Sequence, residues 1–433
     1  MSQINIGIIG FGTVGAGVVE VLVTNHAVIA SRVGTRIVVK KIADLDIKSD
    51  RGLSLEPGLL TVNTMEVIED PEIEIVVELM GGKEKAKGYI LKAMENGKHV
   101  VTANKALLAE SGLEIYQAAE KNGVNIGFDA SVGGGIPIIG AFRHGLSANR
   151  IKTIIGILNG TSNFILTRMT REGLPYEQVV QEAVDLGFAE DPPTLDVDGT
   201  DAAHKLAILI SLVFGSPVSF NDIYIEGIGN LTPDDIRFAG EFGYCIKLLA
   251  IAKARENCVE ARVHPVMISQ DHILSNVNDA YNAVYLEGDF VGPNLYYGLG
   301  AGRKPTGSAV ASDIINIAKR IRLGIKSPMA PLAHVHQLYN EIKISRMEEL
   351  LTAYYFRFSA VDRPGILSKI AGILGENEIS ISSVIQKGRE LNGSVTIVML
   401  THEALEKNVR NAVLLMDKLD ILTDKTIMLR VHD

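Results

Sequence analysis

The spacing of apolar residues changes twice along the chain, and the changes divide it into three parts. In the first part, short apolar runs alternate with helically spaced stretches. Ile4–Ile9, Arg36–Ala43, Ile75–Leu79, Lys98–Thr102 and Asn125–Phe128 read as strands, and Val14–Leu22, Lys85–Asn96 and Leu107–Lys121 as helices. Alternation at these lengths predicts an α/β fold with a parallel, doubly wound sheet. From about Pro137, helical segments at Ser162–Arg171, Tyr176–Asp185 and Ala202–Phe214 precede strand-like runs at Val259–Ile268, Ala283–Glu287 and Leu295–Tyr297. That order predicts an α+β domain, and the long amphipathic stretch Ser308–Arg322 is a helix that can return to the first sheet. Residues 326–349 read as a connector. Beyond them come strand Tyr354–Val361, helix Ile366–Asn377, strands Ile379–Lys387 and Ser394–Leu400, helix Glu403–Leu419 and strand Lys425–Val431, the βαββαβ order of a ferredoxin-like fold.

Length and composition agree with this division. At 433 residues, about three domains of roughly 150 residues are expected. A content of 47% hydrophobic and 21% charged residues is that of an ordinary globular protein. The net charge of -9 offers no footprint for nucleic acid or an anionic membrane. The stretch Leu206–Phe214 is too short to span a bilayer, and the Met1–Phe11 start lacks a basic n-region. Two cysteines, Cys245 and Cys258, imply no disulfide framework, so a cytoplasmic location is expected. No His/Cys cluster has zinc spacing, and His334 and His336 read as structural.

The first strand ends in Gly10-Phe11-Gly12-Thr13-Val14-Gly15 and passes directly into a helix. This G-x-G-x-x-G in strand-turn-helix context is what a dinucleotide pyrophosphate requires. Gly10 makes the turn, Gly12 lets backbone approach phosphate, and Gly15 lets the helix pack on the strand. Asp44 follows the second strand, where a carboxylate can accept from ribose hydroxyls; Lys48 and Arg51 nearby leave a 2′-phosphate open. Glu78–Gly82 and Thr102–Lys105 lie at the C-terminal ends of predicted strands, the ligand side of such a sheet. The densest polar constellation is Glu190, Asp196, Asp198, Asp201 and Lys205. Asp201 and Lys205 share a helix face, and the helix continues as Leu206-Ala207-Ile208-Leu209-Ile210 with little room for a solvated side. A charged pair in such a helix needs a polar cavity to face, and a cleft supplies one. Glycine-rich loops at Val132–Pro137 and Gly298–Gly302, and the cap-like Asn159–Asn163, have structural as well as ligand-binding readings.

Taken together, GFGTVG at the start, Thr102–Lys105 (TANK), Ala130–Pro137 (ASVGGGIP), Asn159–Asn163 (NGTSN) and Thr194–Leu206 (TLDVDGTDAAHKL) closely resemble homoserine dehydrogenase with a C-terminal ACT domain, nearly end to end. The resemblance implies a Rossmann domain at 1–136 with a return helix near 306–325. It further implies a catalytic and dimerisation domain at 137–305, a linker at 326–349 and an ACT regulatory domain at 350–433. It implies reversible reduction of aspartate 4-semialdehyde to homoserine with NAD or NADP, in threonine, methionine and isoleucine biosynthesis. Lys205 would donate the proton, Lys105 would assist and lie against the nicotinamide, and Glu190 and Asp201 would hold substrate. Cofactor contacts are implied at Phe11, Thr13, Val14, Gly187 and Gly302. A sodium ion is implied on main-chain oxygens of Asp129, Val132, Gly134 and Ile136. Asp362 and Gly365 fall in the loop that binds an amino acid in ACT domains, with threonine the implied effector, and a homodimer or homotetramer is implied.

Three positions depart from the family pattern. Asp129 stands where the family usually has Glu, and Asp191-Pro192-Pro193 where it usually reads Ala-Asp-Pro. Leu45 replaces a basic residue common at the 2′-phosphate, which with Asp44 favours NAD or dual use. Aspartate-semialdehyde dehydrogenase chemistry needs a cysteine nucleophile; Cys245 and Cys258 fall in predicted helical or linking segments without a companion histidine, which argues against it. A non-catalytic sensor of dinucleotide and amino acid would have no need of Lys105, Glu190, Asp201 and Lys205 together.

Overall fold

A computed structural model describes residues 3–189, 192–334, 343–386 and 394–432. In the first domain six strands, β1 (Gln3–Ile9), β2 (Arg36–Ala43), β3 (Leu60–Thr61), β4 (Ile75–Glu78), β5 (His99–Thr102) and β6 (Ile126–Gly127), form a parallel sheet in the order β3-β2-β1-β4-β5-β6. Alternate residues feed two cores. Ile75, Val77 and Val101 pack with Ala16, Val18, Val310 and Ile314 from the helices Thr13–Thr24 and Arg303–Arg322. Val76 and Val100 pack on the other face with Ala86, Ile90 and Ile115 from the helices Glu84–Glu95 and Lys105–Asn122. Both faces are therefore covered, as parallel strands require. Helix Arg303–Arg322 thus returns to the first sheet. A Cβ on Gly17 would sit 2.0 Å from the Arg303 carbonyl oxygen, so the two helices cross backbone on backbone.

The rest of the chain builds a second, 12-stranded sheet. Its strands are β7 (Ile151–Ile157), β8 (Tyr224–Ile225), β9 (Tyr244–Ala254), β10 (Cys258–Ser269), β11 (Tyr281–Gly288), β12 (Gly292–Leu299), β13 (Lys343–Ile344), β14 (Leu351–Val361), β15 (Ile381–Gln386), β16 (Ser394–Thr401), β17 (Ala404–Leu405) and β18 (Ile427–His432). The main order is β12-β11-β7-β9-β10-β18-β14-β16-β15. Strands β14 to β18, with helices Ile366–Glu376 and Glu406–Met416, complete the expected βαββαβ unit. That unit is not a separate body: β18 pairs in parallel with β10, Val266 opposite Arg430. Two buried ion clusters lock the seam. Arg357 and Tyr355 bond the Asp235 carboxylate, at 2.6 and 3.3 Å, and Arg430 bonds both Glu406 and, at 2.7 Å, Glu226.

The middle domain differs from the sequence expectation in detail. Cys245 and Cys258 lie on strands β9 and β10 rather than on helices or links. Strand β9 is buried on both faces for most of its length, and such a run has neither strand alternation nor helical spacing to reveal it. The glycine loop at 132–137 leads into a single short turn, Ile138–Gly140, that passes into a π-helical Ala141–Gly145. His334 lies in a bend, and His336 falls outside the described residues. Among the described residues no single helix is long and apolar enough to cross a membrane.

Candidate active site between the two domains

The dinucleotide loop has the geometry its glycines predict. Gly10 adopts φ +99, and a Cβ there would sit 2.6 Å from the Leu79 carbonyl at the end of β4. A Cβ on Gly15 would lie 2.2 Å from the Gly10 oxygen, so helix and turn are in backbone contact. Gly12, the N-cap of helix Thr13–Thr24, has open space beyond it. An anion can therefore approach the N–H groups of Gly12, Thr13 and Val14 at the helix start. Asp44 buttresses the loop: Oδ2 accepts from the Phe11 N–H and Oδ1 from the Asp46 N–H at 2.8 Å. Leu45 is 92% exposed, and Arg51 is turned to Asp46 at 3.0 Å. These residues fit a dinucleotide.

Thr102–Lys105 stands at the end of β5. Thr102 Oγ1 donates to Glu78 at 2.6 Å, and the Met80 N–H donates to the other Glu78 oxygen at 2.9 Å. Burial raises the Glu78 carboxyl to about 7, against the lowering effect of these two donors. Asn104 caps the following helix by accepting from the Leu107 N–H, and donates to the Gly82 carbonyl. Lys105 is the first helical residue, so its side chain projects beyond the sheet towards the next domain.

There it meets the helix Thr200–Phe214. Lys105 Nζ is 3.0 Å from Asp201 Oδ1, and Lys205 Nζ is 2.7 Å from Asp201 Oδ2. Lys205 also donates to the Leu158 carbonyl at 2.6 Å and is only 8% exposed, whereas the Lys105 side chain is 43% exposed. The spacing of four residues aligns Asp201 and Lys205 one turn apart, and the apolar Leu206–Ile210 run buries the helix that carries them. Asn159 completes the frame. Its oxygen caps helix Gly160–Glu172 at Ser162, and its amide donates to Asp201 at 2.9 Å and Asp196 at 2.7 Å.

The charges are unequal in consequence. Burial pushes the Asp201 carboxyl up, but Lys205, Lys105 and Asn159 more than offset this and hold it well below the carboxylate range. Burial lowers the Lys205 ammonium, and the Lys105 charge lowers it further against the pull of Asp201. Asp196 is raised, first by burial and then by the Asp201 charge, against Asn159. His204, beside Lys205, packs tilted against Phe220 with ring centroids 4.4 Å apart and faces Glu110 across the domain gap at 3.5 Å.

The structure thus brings Lys105, Asp201 and Lys205 together and sets Asp196 beside them. Glu190 falls outside the described residues. Gly187, at φ +73 after helix Tyr176–Asp185, has open space around it, and Gly302, at φ +122 before helix Arg303–Arg322, lies within ordinary contact distance of the Pro305 ring. The loops 132–136 and 298–302 stack on each other: the Gly135 N–H donates to the Leu299 carbonyl, and a Cβ on Gly134 would strike the Gly300 oxygen at 2.4 Å. Asp129, Val132, Gly134 and Ile136 follow one another round a buried turn bent by left-handed Gly133 and Gly134. Among the described residues no cluster of acidic, His or Cys side chains could hold a metal. A cation at this turn would take main-chain oxygens, the hard ligands a monovalent ion accepts. Asp362 and Gly365 lie far along the second sheet, in the turn that opens helix Ile366–Glu376. Asn282 went unnoticed in the sequence; fully buried, it donates to the same Leu158 carbonyl at 2.9 Å. One amide at the head of an apolar strand gives no signal of that contact. Burial pushes the Cys245 thiol up, away from thiolate character.

Comparison with known proteins shows the family. Family models described as "Homoserine dehydrogenase, NAD binding domain", "Homoserine dehydrogenase" and "ACT domain" match residues 10–129, 137–315 and 354–414. The homoserine dehydrogenase of Neisseria gonorrhoeae is 43% identical over 432 residues, covering 100% of this chain and 99% of the relative. That of Bacillus subtilis is 38% identical over 435 residues, covering 100% and 99%. A crystal structure of a homoserine dehydrogenase from Thiobacillus denitrificans superposes with a TM-score of 0.94 at 45% identity, covering 100% of this chain and 99% of that one. A putative homoserine dehydrogenase from Archaeoglobus fulgidus, TM-score 0.66 at 35% identity, covers 73% of this chain and 99% of its own. The chain belongs to the homoserine dehydrogenase family of NAD(P)-dependent oxidoreductases.

Proposed function

We propose that this chain interconverts L-aspartate 4-semialdehyde and L-homoserine, with Lys205 as the proton donor to the carbonyl oxygen. The Lys105–Asp201–Lys205 bridge across the domain gap is the observation that carries this reading. A bound nicotinamide supplies the hydride to the aldehyde carbon or accepts it back. As alkoxide charge grows on oxygen, the Lys205 ammonium stabilises it and gives up a proton; in the reverse direction the amine takes that proton. Such positioned proton transfer contributes roughly 10²–10⁴ in rate. Asp201, held ionised, fixes the Nζ in place, and Lys105 raises the local positive potential. Glu190, Asp201 and Lys105 hold the amino-acid substrate.

Gly10 to Gly15 would hold the dinucleotide, with Asp44 at the ribose and Gly187 and Gly302 beside it. Asp44 and the exposed Leu45 favour NAD or dual use, although an archaeal relative of 28% identity is described in complex with NADPH. The residues suit a sodium ion on the main-chain oxygens of Asp129, Val132, Gly134 and Ile136. Threonine, bound at Asp362–Gly365 of the ACT unit, would regulate the enzyme in threonine, methionine and isoleucine biosynthesis in the cytoplasm, as a homodimer or homotetramer. Initial rates with homoserine, comparing NAD with NADP and adding threonine to each, test the activity, the cofactor and the effector together. Turnover with either cofactor and inhibition by threonine are expected; no absorbance change at 340 nm with either cofactor would end the proposal.

A further inference from the structure

A second polar cavity, of about 200 Å3, lies on the seam between the middle domain and the ACT unit. Strands β9 and β10 form one wall, residues 350–353 and the end of β18 the other. The β-sheet register places its basic residues on one face: Lys253 is opposite Glu260 and Ile251 opposite Arg262, with His264 two residues further along β10. The protein leaves their polar atoms unmatched. Arg262, 6% exposed, sends Nη1 to Glu260 at 2.7 Å, and its Nε has no partner. His264, 1% exposed, turns Nδ1 to the Pro265 carbonyl at 2.9 Å and leaves Nε2 with none. Half-buried Lys253 has neither a hydrogen bond nor an ion pair among the described residues.

Native interiors rarely leave buried donors and acceptors unmatched, and where they do a water or ligand supplies the missing atom. Of the carboxylates around the cavity, Glu403 lines it from an exposed position, and the more buried ones are already engaged. Glu260 already accepts from both Arg255 and Arg262, and Glu406 and Glu226 are engaged by Arg430. The proton affinities are in keeping with this: burial lowers Lys253 and His264, Arg262 lowers Lys253 further against the pull of Glu260, and Arg430 and Arg262 lower His264 further. The bond to Pro265 makes Nδ1 the protonated nitrogen of a neutral His264, so Nε2 offers a lone pair. An occupant therefore needs an anionic oxygen for Lys253 and Arg262 and a hydroxyl for His264.

We propose that this seam cavity binds a small oxyanion bearing a hydroxyl, the chemistry shared by hydrogen phosphate and short hydroxy acids. Calorimetric titration of the full chain with inorganic phosphate, and separately with glycolate, tests it, with sodium chloride holding ionic strength constant. Saturable binding of at least one is expected, and the tighter of the two identifies the source. Lys253→Gln removes a half-exposed side chain without a partner, so the fold is retained, and the affinity should fall about tenfold for loss of one charged hydrogen bond. Acetate, which has no hydroxyl, should bind more weakly than glycolate. Lack of saturation by both probes would overturn the proposal. So would an isotherm unchanged by Lys253→Gln, as phosphate binding at the dinucleotide loop would give.

Discussion

Lys205 is an ammonium enclosed by protein, held by one carbonyl and one carboxylate and opposed by a second lysine. That setting makes it an acid of more than ordinary strength, because burial and Lys105 both favour loss of its proton. The sign of the pH dependence follows. Reduction needs the protonated form, so kcat for reduction should fall as pH rises, with a midpoint below the usual lysine value of 10.5. Oxidation of homoserine needs the free amine and should rise over the same interval. Opposed limbs in pH–rate profiles would bear this out, and parallel ones would remove Lys205 from the proton transfer. Lys105, Asp201 and Lys205 were legible because charged residues stood where a strand end or an apolar helix gave them no solvated place. Asn282 and the Leu158 carbonyl were not, since a backbone oxygen leaves no mark in sequence and a single amide little more.

The elements around the site are short, capped and crossed by glycine. Asn159 does two jobs with one side chain: its oxygen caps helix Gly160–Glu172, and its amide spans Asp196 and Asp201. Asn159→Ala should therefore lower stability by about 1 kcal/mol for the lost cap. It should also raise KM, because Asp201 loses a fixed donor; a melting curve and a substrate titration read the two effects separately. A variant losing stability with unchanged KM and kcat would reduce Asn159 to a cap. Strand–turn–helix at residues 3–24 was evident from its glycines because the turn has few ways to form. Strand β9 was not, since an apolar run buried on both sides has no periodicity.

At the scale of the whole molecule, the sequence predicted the ACT unit's element order but not its union with the catalytic sheet. The connector read at 326–349 marks a boundary in the chain without marking one in the core. Tyr355, Val398, Leu429 and Val431 belong to the same apolar core as the Leu206–Ile210 helix segment. The resemblance to ACT domains implies that a chain stopped near Glu349 would lose threonine inhibition and keep its catalysis. The shared core predicts more: the Val266–Ile268 end of β10 loses its β18 partner, and the apolar residues that packed on the ACT strands meet water. A lower melting temperature and self-association should accompany any loss of regulation. Wild-type melting behaviour in the truncated chain would show the seam to be superficial.

The central claim is that catalysis depends on an ammonium of the middle domain meeting a cofactor carried by the first. Lys205→Ala, measured for both kcat and dinucleotide affinity, tests it most directly. Turnover should fall by roughly 10²–10⁴ while fluorescence titration gives an unchanged cofactor Kd. A variant that binds cofactor normally and turns over at nearly the parental rate would contradict the account.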